Sequence, residues 1–522
     1  MEKKRNIEKL MVGAAFTIFV LIACYKLTNA PLWFDETVEF WNSKIMFGKL
    51  PYRTGINDST NMYQRILSTF QPPLYNFIMY FWLKLGTSEW WFRFFGVVMG
   101  TIGSIGIFKT VKKISNTYTA AGAVFFSSCV LRLVYYWQEC AEYCLLLGLL
   151  CWTIYAFICL LEKQSMKNII IFTILCILPV YSQYGAVFPV AALLILAYVF
   201  IALKKDKKNI ITITVSYLAA FVFTALPLVY LFLIKQLSLQ RGRHIPSMQF
   251  SVEGNIFSDM FRSFRETISW NLCSYYGEAA ATVLSWIFII CFVIFIFRSK
   301  NIYVRILAIV NVITWLLYYV VVKLGMYAYG TFGSRYDLFF IPLWIISLFC
   351  FGYEIYEFFK NTLDEKLHNS SKIFAGICAV AIACFMISSW TMKLQYNWQK
   401  EDMRSAVNSW LEADAQNSQT IVYYNGCSGF AYYLREQEDF SPEMEKNVVY
   451  MPWMYNKTVE DYTNYINSLY TDGWPQEIYL IGTHTYKDLD ELLSAFTDKG
   501  YTREDINTTR CLLTRFSYAE AE

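Results

Sequence analysis

Residues 143–184 read YCLLLGLLCWTIYAFICLLEKQSMKNIIIFTILCILPVYSQY. Two apolar runs are parted by one short loop that holds Glu162, Lys163 and Lys167. A helix needs about 20 apolar residues to cross the hydrocarbon core of a bilayer. Charges are costly at membrane depth and collect in the loops between spans. The stretch therefore predicts a hairpin of two membrane-spanning helices. The same alternation extends outward in both directions and predicts eleven spans, at 10–26, 91–109, 118–136, 140–161, 168–184, 186–203, 210–233, 280–298, 303–323, 337–353 and 373–391.

Composition agrees. Of 522 residues, 56% are hydrophobic and only 16% charged, against about 25% in ordinary soluble domains, and the mean hydropathy is +0.33. This excludes a soluble globular chain and a disordered one. Aromatics reach 19%, as expected where rings line two membrane interfaces. Charge is unevenly placed. Residues 392–522 carry 11 Lys+Arg and 21 Asp+Glu, whereas residues 1–391 carry 34 and 20. The expected organisation is a membrane domain, 1–391, with outer loops at 27–90 and 234–279, followed by a soluble domain at 392–522. The basic charges lie in short loops between apolar runs, which does not suggest nucleic acid as a partner. The 14 cysteines include no CxxC pair, so thioredoxin-like and zinc-ribbon chemistry have no support.

Lys and Arg in short loops set orientation. The clusters Lys109, Lys112 and Lys113, then Lys163 and Lys167, then Lys204, Lys205, Lys207 and Lys208, then Arg298, Lys300 and Arg305 share one side with the amino terminus, the cytoplasmic side. Counting 73–85 as a further span would break this pattern, so a half-inserted or surface helix is expected there. An odd number of spans puts 392–522 outside the cytoplasm. That tail alternates helical and strand patterns: helices at 399–413, 428–436, 458–470 and 487–499, strands at 420–425, 447–451, 477–482 and 511–517. This predicts a small α/β domain with a largely parallel sheet.

The first outer loop opens with Trp33-Phe34-Asp35-Glu36. Phe34, Val38, Trp41 and Ile45 then follow at helical spacing, predicting an amphipathic helix on the outer leaflet that ends at Leu50-Pro51. An acidic first turn is favoured by the helix dipole with no function at all. Other polar groups fall at outer ends of spans: Gln138 and Glu139, Tyr181 and Gln183, and Arg335-Tyr336-Asp337. Each could be an interfacial anchor, but together on the side of Asp35 they suggest a site. The mid-spans read as nearly free of charge. His244, His368 and His484 are scattered without metal-ligand spacing, and the sequons at Asn57, Asn456 and Asn507 would matter only in a eukaryotic lumen.

At these residues the chain resembles the polytopic GT-C glycosyltransferases that use polyprenyl-phosphate sugars, the protein O-mannosyltransferases and lipid A aminoarabinose transferases. Six segments carry the resemblance in order: Trp33-Phe34-Asp35-Glu36, Gln71-Pro72-Pro73-Leu74-Tyr75, Glu89-Trp90-Trp91-Phe92-Arg93, Tyr136-Trp137-Gln138-Glu139-Cys140-Ala141-Glu142-Tyr143, Ser182-Gln183-Tyr184-Gly185 and Gly333-Ser334-Arg335-Tyr336. Two positions depart from the family pattern: Ala141 stands where an arginine is expected, and Ser182-Gln183 where a histidine is expected.

The resemblance implies a mainly α, polytopic membrane fold of the GT-C kind with an extracytoplasmic α/β domain. It implies an inverting sugar transfer from a polyprenyl-phosphate donor to a glycan, lipid or protein acceptor at the outer face of a bacterial cell membrane. Asp35 would be the catalytic base. Glu36, Gln138, Glu139, Tyr181, Gln183, Arg335 and Tyr336 would bind substrate, with Arg335 meeting the phosphate and Arg241, Arg243, Arg262 and Arg265 as runners-up. A divalent cation beside Asp35 and Glu36 is a further candidate. Two other classes stay open at this point. A transporter or flippase would have interrupted spans, and Pro179, Pro189, Pro227 and Pro342 supply interruptions. A non-catalytic envelope scaffold would use the tail as a binding module.

Overall fold

The computed structural model describes residues 2–46, 50–51, 62–68, 71–240, 255–273, 277–328, 335–364, 369–395, 400–452, 458–471, 473–483, 487–508 and 510–518. Arg241, Arg243, His244, His368, His484, Gly333, Ser334, Asn57 and Asn456 lie outside the described residues. The chain forms two compact units. The first holds Met1–Tyr25, Thr69–Tyr75 and Arg93–Tyr396; the second holds Lys26–Ser68, Asn76–Phe92 and Asn397–Glu522.

The first unit is helical. Among the described residues nine helices are long and apolar enough to span a membrane: Glu2–Cys24, Glu89–Ile114, Glu142–Glu162, Tyr184–Leu203, Lys207–Ser238, Gly277–Arg298, Ile302–Lys323, Phe340–Leu363 and Ser370–Gln395. A tenth is a bent pair, Thr117–Ser127 and Leu131–Gln138, which meet at 67°. The expected eleventh, Met166–Ser182, is shorter, with 17 residues; it rises about 26 Å against a core of about 30 Å. The protein is thus a multi-pass membrane protein. Leu74–Trp82, inside the alternative span 73–85, has nine residues and is too short to cross.

The single span expected at 118–136 is broken, and the residues at the break explain it. The Ser127 hydroxyl donates to the Ala123 carbonyl at 2.8 Å, that of Ser128 to Phe125 at 2.6 Å, and the Cys129 thiol to Phe125 at 3.5 Å. Side chains that bond back to helical carbonyls compete with the next turn of the ladder and bend the chain. Leu131–Gln138 then lies close against Glu89–Ile114. A Cβ at Gly96 would stand 2.2 Å from the Trp137 carbonyl oxygen, and one at Gly100 2.8 Å from the Trp137 ring. Small residues four apart admit the close approach that packing in lipid relies on. Pro227 lies between two stretches wound with wider turns, Phe221–Ala225 and Leu228–Leu233. A proline removes one N–H and crowds the carbonyl four residues back, and a widened turn relieves both.

The second unit carries a five-stranded sheet: β1 Gln419–Val422, β2 Val448–Tyr450, β3 Glu477–Thr483, β4 Tyr501–Thr508 and β5 Cys511–Tyr518. The order is β2-β1-β3-β5-β4. β1 pairs parallel with β2 and β3, while β5 pairs antiparallel with β3 and β4. The sheet is therefore mixed rather than largely parallel, and β4 was missing from the sequence pattern. Its residues Thr502, Arg503, Glu504 and Asp505 are exposed, so no apolar alternation marks it. A charged edge strand of this kind resists pairing with other chains. Period-2 alternation divides β1 and β3 between two layers. Ile421, Ile478 and Leu480 pack with Tyr462, Ile466, Leu492, Leu493 and Phe496 from the helices Val459–Leu469 and Lys487–Thr497. On Met403–Glu412, Trp410 donates to the Thr420 hydroxyl at 2.9 Å and meets the Phe430 ring edge-on at 5.2 Å.

Cys427 and Cys511 are both buried and are not bonded to each other. The Cys427 thiol lies 3.4 Å from the carbonyls of Val422 and Tyr423. Burial pushes both thiols well above the ordinary thiol range, and the thiolate is the reactive form. With a maleimide mass tag at pH 8 and no reductant, neither should label in the folded protein, and both should label on unfolding. A tail that labels only after reduction would show a disulfide instead.

Candidate active site

The Asp35 helix runs Phe34–Lys44, not to Leu50-Pro51. The Ile45 amide closes it on the Trp41 carbonyl at 3.0 Å, and Arg65 donates to the Ile45 carbonyl. Asp35 is half-buried in its first turn. The buried face is not the expected apolar stripe: Glu36, Thr37, Glu39, Phe40, Trp41 and Ser43 are buried, while Phe34, Val38 and Ile45 are only partly covered. The reason is tertiary. This face packs on the helix Cys427–Arg435 of the same unit, with Thr37 and Ser428 hydroxyls 2.8 Å apart, the Trp41 indole donating to the Ser428 carbonyl at 3.0 Å, and the Phe40 and Tyr432 rings edge-to-face at 4.7 Å. Lys44 pairs with Glu436 at 3.3 Å. Polar residues are buried here because they meet polar partners.

Glu36 is buried and its carboxylate accepts the Trp33 amide at 3.3 Å, so one oxygen is engaged by its own helix. Glu39, one turn beyond Asp35, accepts from the buried Asn76 amide at 2.7 Å, and Asn76 also donates to Ser43 at 3.2 Å. Sequence reasoning missed Glu39 and Asn76; their signal was the i, i+4 spacing of Asp35 and Glu39. Among the described residues no group of three or more His, Cys, Asp and Glu is placed to hold a metal ion. Two adjacent carboxylates, one of them already engaged, are a poor cage for a hard cation, which takes six or more oxygens.

The first unit gathers a second polar group. Arg335 is half-buried with its guanidinium 5.6 Å from the centre of the Tyr143 ring, a cation–π distance. Its charge and that of Glu139 both act on the buried Glu142. Gln183 donates to the Tyr327 hydroxyl at 3.1 Å and accepts the Gly185 amide at 2.6 Å. The Tyr327 hydroxyl donates to the Tyr336 carbonyl at 3.1 Å. Arg335, Tyr336, Gln183 and Glu139 therefore belong to one neighbourhood, joined by Glu142, Tyr143 and Tyr327. Two other candidates have different partners. Gln138 donates to the Ala23 and Tyr25 carbonyls at 2.7 and 2.9 Å and accepts from the buried Lys393, tying three segments together. Tyr181 donates to the Thr224 carbonyl at 2.7 Å, inside the widened turn. Of the runner-up arginines, Arg262 pairs with Asp259 at 2.8 Å and Arg265 with Glu278 at 3.6 Å.

The spans are less free of charge than their hydropathy suggested. Arg132, in the second half of the bent pair, is buried and pairs with the fully buried Asp337 at 3.4 Å. A lone arginine inside an apolar run was the available signal. A buried pair is held by the penalty of leaving either charge alone. Arg132→Met or Asp337→Leu alone should each destabilise the protein by about 3–5 kcal/mol, and the double variant by less than the sum. Thermal unfolding in detergent reads this; additive losses would show that the two charges do not pair.

Residues 70–231 match the family of dolichyl-phosphate-mannose-protein mannosyltransferases. No curated protein sequence matches the chain. Among solved structures, the archaeal oligosaccharyltransferase AglB of Archaeoglobus fulgidus, in complex with an inhibitory peptide and a dolichol-phosphate, superposes with a TM-score of 0.55 at 10% identity, over 96% of this chain and 73% of that one. The same archaeal enzyme tethered to an acceptor peptide gives 0.55 at 12% identity, over 99% and 74%. ArnT of Cupriavidus metallidurans bound to undecaprenyl phosphate gives 0.46 at 12% identity, over 97% of each chain. The matched segment is about a third of the chain, mostly in the helical unit, and the fold is shared with the archaeal oligosaccharyltransferase along nearly the whole chain.

Proposed function

We propose that the chain transfers a sugar from a polyprenyl-phosphate donor to an acceptor hydroxyl, with inversion, at the outer face of the membrane. The observation that carries this reading is the placement of Asp35: a half-buried carboxylate in the first turn of a helix whose buried face is packed within the second unit. The matched family acts with dolichyl-phosphate mannose, which supports a lipid-phosphate donor.

An acceptor hydroxyl is a weak nucleophile at neutral pH. Asp35 takes its proton as the acceptor oxygen bonds to the anomeric carbon. The bond from that carbon to the phosphate oxygen breaks on the opposite face, and the electron pair leaves on the lipid phosphate. A positioned base contributes about 10²–10⁴ in rate, or roughly 3–5 kcal/mol. Arg335 meets the charge that develops on the phosphate; its planar fork suits two oxygens at once, and its stacking on Tyr143 supports a fixed orientation. Glu139, Gln183 and Tyr336, in the same neighbourhood, line the donor side.

Transfer from undecaprenyl-phosphate mannose and other polyprenyl-phosphate sugars, by the full chain in proteoliposomes, tests this. Asp35→Asn should lower turnover about 10²–10⁴-fold while the protein still folds; Glu36→Gln should cost less. Arg335→Lys should keep part of the activity and Arg335→Ala very little, because lysine retains charge without the fork. Normal turnover of Asp35→Asn at saturating donor would remove Asp35 as the base.

The one-sided Lys and Arg loops support this orientation: amino terminus inside, residues 392–522 outside, in a bacterial cell membrane. A membrane-impermeant protease on intact cells should cut within 392–522. Cutting only after lysis would invert the topology.

A further inference from the structure

The Asp35 helix starts without a side-chain acceptor at its cap position. The first amides of a helix have no partner within it and need an acceptor. Ser, Thr, Asp or Asn at the cap position normally supplies one. The cap residue here is Trp33, which makes no side-chain cap and whose indole is a donor only. With 11 residues the helix is also shorter than the 12–15 or so at which an isolated helix becomes even marginally stable in water.

One acceptor is the helix's own Glu36, and two come from elsewhere in the second unit. Three successive amides are taken in turn. The Leu32 amide donates to the Tyr433 hydroxyl at 2.6 Å, the Trp33 amide to Glu36 at 3.3 Å, and the Phe34 amide to Glu401 at 3.0 Å across 367 residues of sequence. Glu401 is buried, and Lys400 beside it sits 3.3 Å from the centre of the Trp33 ring. Tyr433 in turn donates to Glu89, which also pairs with Arg404. A carboxylate at a helix start is favoured by the dipole as well as by the hydrogen bond.

We infer that Glu401, seconded by Tyr433, is a positioning residue for Asp35: it supplies from the carboxy-terminal module the acceptor for the amide of Phe34, the residue next to Asp35. This assigns the module a role in turnover, and it rests on the reading of Asp35 as the base. A displacement of about 1 Å at a catalytic group costs on the order of 10²-fold in rate, so loosening the first turn acts on Asp35 although Glu401 touches no substrate.

Two readouts test it in the full chain. Hydrogen exchange over residues 32–38 needs no substrate. It should quicken about tenfold in Glu401→Leu and stay near wild type in Glu401→Gln, whose amide oxygen still accepts the Phe34 amide. Turnover, with whichever polyprenyl-phosphate sugar the wild type uses, should follow the same order. In Glu401→Leu, kcat should fall about ten- to a hundredfold with the donor KM within about twofold; Glu401→Gln should keep most activity. Tyr433→Phe, which keeps the ring, should lose less, chiefly in kcat. Unchanged exchange in Glu401→Leu, or equal losses in Glu401→Leu and Glu401→Gln, would overturn the capping role. If Asp35→Asn turns over normally, the base assignment falls, and the exchange result still decides the cap. If Asp35→Asn is inactive and Glu401→Leu turns over normally, the positioning role alone falls.

Discussion

The start of the Asp35 helix is tied to a segment far away in sequence. Its tryptophan cap position offers no side-chain acceptor, and while Glu36 of the same helix takes the Trp33 amide, the Glu401 carboxylate takes the Phe34 amide at 3.0 Å. The chain entering the helix is held at consecutive amides by Tyr433, Glu36 and Glu401. The helix then lies along Cys427–Arg435, where the Ser428 carbonyl accepts from the Trp41 indole and the Ser428 hydroxyl shares a hydrogen bond with that of Thr37. Glu39, Ser43 and Asn76 close the far end with hydrogen bonds among themselves. Each buried polar group on this face has a partner, so its burial costs little.

The helical unit solves a different problem. Its spans contribute few charged groups, and several of the polar groups it buries are paired or stacked: Arg132 on Asp337, Arg335 on Tyr143, Gln183 on Tyr327. Close approach of Glu89–Ile114 to Leu131–Gln138 needs the missing side chains of Gly96 and Gly100. The break at Ser128–Val130 turns Leu131–Gln138 through 67°, which is why Arg132 and Gln138 make tertiary contacts where a straight helix was expected. Peripheral helices such as Lys207–Ser238 and Ser370–Gln395 bury little of themselves, as helices facing lipid do.

Much was legible in the residues alone. The membrane spans follow from run length and from the cost of charge in lipid, which are local properties and need no partner. The α/β tail follows from period-2 strands set between amphipathic helices. The acidic pair at Asp35 and Glu36 marked the start of a helix because acids favour that end of the dipole.

Pairings between distant segments were not legible. The stripe of Phe34, Val38, Trp41 and Ile45 predicted a face toward lipid, yet the buried face is set by Ser428, Tyr432 and Glu401, some 390 residues away. The charged strand β4 carries no alternation, and only its neighbour β5 makes it a strand. Gln138 and Glu139 are adjacent in sequence, but Gln138 is spent on Ala23, Tyr25 and Lys393 while Glu139 lies with Glu142 and Arg335. Hydropathy and spacing report what one segment does against water, lipid and its own backbone. Which donor meets which acceptor is decided when segments far apart in the chain are brought within about 3 Å, and that only the tertiary structure supplies.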